Sequence, residues 1–180
     1  MNKLNKVFAG LIALGVSFIS PVNANEIEEH QRLWDTLEMV GVKVVINHPE
    51  DCNGRIDGVY DSIRGYITIC QDQGTEAFKM VGWTDNDLDT LRHEAQHVVQ
   101  DCMNNVIGDG ILSPLFEDVK TRNDFIIKAL GEPQVKRIVT NYTNQGADYE
   151  TVIVELEASA VAGSVSASHI ADKLLSVCAS

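Results

Sequence analysis

His93, Glu94 and His97 stand in the order H-E-A-Q-H, a spacing with a direct chemical meaning. A helix has about 3.6 residues per turn, so His93 and His97 project from one face, roughly one turn apart. Two imidazole nitrogens at that spacing can reach a single Zn²⁺ at about 2.0–2.1 Å each. Glu94 sits about 100° further round the helix. It cannot easily join the same ligand shell, but it can reach a water on the metal. Five residues therefore supply two ligands and a general base for metal-assisted hydrolysis.

A catalytic zinc takes three protein ligands and keeps one position open. The residues after His97 are V-V-Q-D-C-M, so H-x-x-H-x-x-G-x-x-H is absent. A glutamate from a later helix is the other solution, and V-E-L-E-A-S-A (Val154–Ala160) offers two. Glu155 and Glu157 lie about 200° apart on a helix, so one is expected to face inward and the other water. Glu157 precedes Ala158 and Ala160, small residues that let two helices approach closely. It is the expected third ligand, with Glu155 the alternative and His169 or Glu150 behind it. Tyr142, Tyr149 and His169 are of the right type to stabilise an oxyanion, and none is singled out.

The elements that must position these groups are legible in outline. Leu88, Leu91, Ala95, Val98 and Cys102 form an apolar stripe with steps of three and four. That stripe predicts a helix opening at Thr84 and running to about Met103, packed on one face while its histidines look into a cleft. Thr84 can cap it, with Asp87 three residues on. Upstream, Ile27, Leu33, Trp34, Leu37 and Val40 recur at helical spacing and Gly41 stops the run. Val42–Ile46 is β-branched and reads as a strand; Gly58–Tyr60 and Tyr66–Ile69 read as a hairpin turning through Asp61–Gly65. Downstream, helices are predicted over about Leu115–Leu130, Pro133–Tyr142 and Tyr149–Val177, the last broken near Gly163. The expected class is α+β: an N-terminal helix, a small three-stranded sheet, the H-E-x-x-H helix, then a mostly helical half.

The chain has 180 residues and a net charge of −12. Lys3 and Lys6, the apolar run Val7–Ile19 and the small residues before Asn25 have the order of a signal peptide. Removal of Met1–Ala24 is expected, leaving one domain over Asn25–Ser180. Without those two lysines the 14 basic and 26 acidic residues become 12 and 26, a net −14. So acidic a chain with no basic cluster is a poor partner for nucleic acid or an anionic membrane. A monomer is expected. Four cysteines behind an export signal suggest two disulfides. Three pairings are possible, and Cys52–Cys70 with Cys102–Cys178 is the expected one. The first closes a short loop around the hairpin, and the second ties the end of the H-E-x-x-H helix to the C-terminus.

H-E-A-Q-H followed some sixty residues later by E-L-E-A-S-A resembles the glutamate-zincin metallopeptidases of the small, minimal-zincin type. The resemblance spans roughly Val42 to Gly163 and rests on His93, Glu94, His97 and Glu157. It implies a zinc peptidase acting on a peptide or protein substrate, with Glu94 activating a zinc-bound water; the leader makes it an exported one. It also implies that the strand Tyr66–Cys70 runs beside the cleft and pairs with the substrate. No N-E-x-x-S-D string of the thermolysin-like kind is present.

Overall fold

A computed structural model describes residues 24–54 and 56–179. The expected leader therefore lies outside the described residues, save for Ala24. Among the described residues the chain forms five helices and one three-stranded mixed sheet, an α+β arrangement.

Helix α1 (Ala24–Met39) buries Leu33 and Leu37 and ends where the sequence predicts. Gly41 takes φ +91°, a conformation that costs glycine little. The amides of Gly41 and Val42 then bond back to the carbonyls of Glu38 and Leu37, at 3.1 and 2.9 Å, which closes the helix end. Strands β1 (Lys43–Ile46), β2 (Gly58–Asp61) and β3 (Tyr66–Ile69) follow in the spatial order β1-β3-β2. β3 runs antiparallel to β2, pairing Val59 with Thr68, and parallel to β1, pairing Val45 with Thr68. The hairpin turns through Asp61, whose side chain accepts from the amides of Ile63 and Arg64. Because β3 is central, both its edges are already bonded. The expected pairing of a substrate with Tyr66–Cys70 has no free edge to use, and this corrects that part of the sequence reading.

Helix α2 (Asp85–Cys102) begins with a reciprocal cap: the Thr84 hydroxyl accepts from the Asp87 amide, and the Asp87 carboxylate accepts from the Thr84 amide. Its stripe from Leu88 to Cys102 packs as predicted, but most of its other residues are buried too. Helix α3 (Val119–Asn144) is two helices end to end, broken at Gly131 (φ 73°, ψ 154°) just before Pro133. Helices α4 (Tyr149–Ala162) and α5 (Ala167–Cys178) divide at Gly163, as expected. One core joins α1, the sheet, α2 and α5; a second, smaller one joins α3 to α4. Both expected disulfides form: Cys52–Cys70, and Cys102–Cys178 between the ends of α2 and α5.

Candidate metal centre

α2 and α4 pack against each other, and their contact creates the site. His93 and His97, one turn apart on α2, bring their Nε2 atoms to 3.1 Å of each other. From α4, Glu155 places Oε2 3.3 Å from His93 Nε2 and Oε1 3.5 Å from His97 Nε2. Among the described residues this is the group whose ligand atoms converge tightly enough to hold a metal ion. A tetrahedral ion bound at about 2.0–2.1 Å would space its ligands about 3.3–3.4 Å apart. The observed separations bracket that value. The donor set of two imidazoles and one carboxylate suits a divalent transition metal such as zinc.

The expected third ligand, Glu157, stands elsewhere. Its Oε2 accepts from the Leu115 amide at 2.7 Å and from Gln100 Nε2 at 3.3 Å. Glu155 takes the place beside the imidazoles. Nor does either glutamate face water: both are 0 % exposed. α4 is enclosed on several sides, so the 200° between the two residues separates two buried environments. Glu155 looks at the histidines, whereas Glu157 looks at the chain leading into α3. The predicted open cleft is likewise replaced by burial, with His93, Glu94 and His97 at most 1 % exposed.

Of the three aromatic or histidine donors weighed, only Tyr142 reaches the group. Its hydroxyl donates to Glu155 Oε2 at 2.6 Å. Tyr149 is exposed and its hydroxyl accepts from Arg122, and His169 is exposed on α5. Burial and the Glu155 carboxylate push the Tyr142 phenol well above its ordinary range, so it remains a donor.

Glu94 is buried beside the group, where no other side chain hydrogen-bonds its carboxylate and the Tyr60 backbone faces it. Burial pushes its pKa up to about 7, although the two imidazoles pull the other way. β2 presses directly on it. A methyl group on Gly58 would come within 3.3 Å of Glu94 Cγ and 2.5 Å of Thr90 Cγ2. His97 is buried, which would lower its pKa, but the facing Glu155 carboxylate overrides this and raises it to about 9. Burial would raise Glu155; the two imidazoles hold it well below the ordinary carboxylate range instead.

Sequence reasoning missed Gln100. It lies three residues after His97, hence on the same helix face, and that spacing was the available signal. Its Oε1 meets His97 Nδ1 at 2.8 Å. No protein-family model, no curated protein and no solved structure matches this chain.

Proposed function

We propose that the chain is an exported zinc-dependent peptidase, with His93, His97 and Glu155 holding the metal and Glu94 acting as general base. One observation carries the reading: the fully buried Glu94 carboxylate stands on the same helix as His93 and His97, beside a converging His-His-Glu group. A carboxylate next to a metal-bound water is placed to act as its general base.

The metal, when bound, supplies Lewis acidity toward a carbonyl and lowers the pKa of water. The remaining work falls to the chain. Glu94 takes a proton from the water that attacks the carbonyl carbon. As the new C–O bond forms and the C–N bond breaks, Glu94 delivers that proton to the departing nitrogen. Tyr142 holds the Glu155 carboxylate turned toward the imidazoles. The burial of the group keeps bulk water away and strengthens each of these interactions. Two disulfides, and no described helix long and apolar enough to cross a membrane, are compatible with export.

The near-zero exposure of the histidines favours a second reading, a closed metal-binding domain without turnover. The test is digestion of a peptide library with and without a zinc chelator, alongside the zinc content of purified protein. The peptidase reading expects about one zinc per chain and cleavage abolished by the chelator. Glu155→Ala should lose the zinc, and Glu157→Gln should keep it. Zinc without cleavage favours the second reading, and no zinc removes both.

A further inference from the structure

We infer that Gln100 is a positioning residue for metal binding: it sets which nitrogen of His97 faces the metal and ties together the two helices that carry the ligands. This rests on the proposal that His93, His97 and Glu155 hold a divalent metal.

A glutamine amide has a donor end and an acceptor end, and its neighbours decide which points where. Here one end of Gln100 meets the backbone carbonyl of Val154 at 3.0 Å and Glu157 Oε2 at 3.3 Å. A carbonyl can only accept. Glu157 Oε2 already accepts from the Leu115 amide at 2.7 Å. That end must therefore be the NH₂ group. The other end, Oε1, faces His97 Nδ1 at 2.8 Å and can only accept. When His97 is the neutral imidazole that a metal ligand must be, its proton must then sit on Nδ1. Its lone pair lies on Nε2, the atom that faces His93 and Glu155.

Three features make this more than a helix contact. Val154 is the residue before Glu155, so the same side chain that orients a ligand on α2 also grips α4 at the third ligand. Gln100 is 0 % exposed, so bulk solvent does not reach its amide. And His93 has no such support, because its Nδ1 is buried without a partner. The two imidazoles are thus unequal, and His97 is the one whose orientation is set from behind. The acceptor is also neutral. It fixes the tautomer without adding a negative charge to a site that already holds Glu94 and Glu155. Glu157 is the anchor of this chain of hydrogen bonds, one step further out.

The test compares wild-type protein with Gln100→Met, which keeps the length of the side chain and removes its hydrogen bonds. Zinc affinity is read by competition with a chelator, and ¹⁵N NMR of the zinc-loaded proteins reads the protonation of each ring nitrogen. The expected result is about 10–100-fold weaker zinc binding in Gln100→Met, with one zinc per chain retained at saturation. In the wild type, His97 should carry its proton on Nδ1 and bind through Nε2. Glu157→Leu should weaken binding less, because Val154 still holds the amide. Equal zinc affinity in Gln100→Met and wild type, even with lowered thermal stability, would reduce Gln100 to a structural contact and overturn the inference. If Gln100→Met does not fold, the wild-type spectrum decides alone: zinc on Nδ1 of His97 overturns it. Absence of zinc from the wild type would instead overturn the metal site itself, a separately visible failure.

Discussion

At the scale of single residues, burial sets the chemistry of the carboxylates. Asp57 is 9 % exposed; burial and the nearby Asp72 carboxylate raise its pKa from 3.8 to about 6, against the opposing pull of the Asn86 side chain. Between those values the folded state binds more protons than the unfolded one, so stability falls as pH rises through that window. Asp57→Asn should therefore stabilise the protein at pH 8 by about 1–2 kcal/mol, after allowance for solvent screening, and leave it unchanged at pH 4. Denaturant melts at the two pH values check this; an equal gain at both would show that the charge is not responsible. The same scale explains what the sequence could and could not say about the site. The spacing of His93, Glu94 and His97 is a local property of one helix, and their placement together follows from it. The choice between Glu155 and Glu157 depends on how α4 is rotated against α2. Ala158 and Ala160 suggested close packing correctly, since both are fully buried, but small residues do not say which neighbouring carboxylate faces the histidines.

Among the elements, β2 and α2 fit closely at Gly58. Gly58 lies where a methyl group would meet Thr90 Cγ2 at 2.5 Å, the Thr68 carbonyl at 3.0 Å and Glu94 Cγ at 3.3 Å. Gly58→Ala should cost about 1–3 kcal/mol by overpacking. Adding Thr90→Ser, which removes the nearest methyl and keeps the hydroxyl bond to the Asn86 carbonyl, should recover part of the loss. Urea melts of the single and double variants measure it, and a Gly58→Ala protein as stable as the parent would contradict the tight fit. The elements themselves were legible wherever local chemistry decides them: the Thr84 cap, the Gly41 stop, the hairpin through Asp61 and the break at Gly163. Their sides were less so. A hairpin pattern does not reveal that β1 adds to β3 and leaves β2 outermost, because that parallel pairing joins residues more than twenty positions apart. The burial of α2 was hidden for the same reason. Its apolar stripe accounts for one face, and the polar face is covered only when α4 and Tyr142 arrive.

For the whole molecule, the disulfides set how far the unfolded chain can spread. Cys102–Cys178 spans 76 positions and Cys52–Cys70 spans 18. By loop entropy they contribute about 4.5 and about 3 kcal/mol at most. The Cys102→Ser/Cys178→Ser pair should therefore lose more stability than Cys52→Ser/Cys70→Ser, and it frees the end of α2 as well. Thermal melts of the two variants rank the effects, and the reverse order would mean that native packing, not chain entropy, dominates. The pairing was readable beforehand because one bridge closes a short loop around a hairpin and the other ties the end of the H-E-x-x-H helix to the C-terminus; the charge of −12 told nothing of either.

We propose that a metal held by two imidazoles and Glu155 works with Glu94 to split peptide bonds. The most direct test is the peptide-cleavage rate of Glu94→Gln protein loaded with the same zinc content as the parent. Zinc stoichiometry should be unchanged, with cleavage reduced by about 10²–10⁴-fold, the usual worth of a general base. Cleavage at the parent rate, with zinc in place, would contradict it.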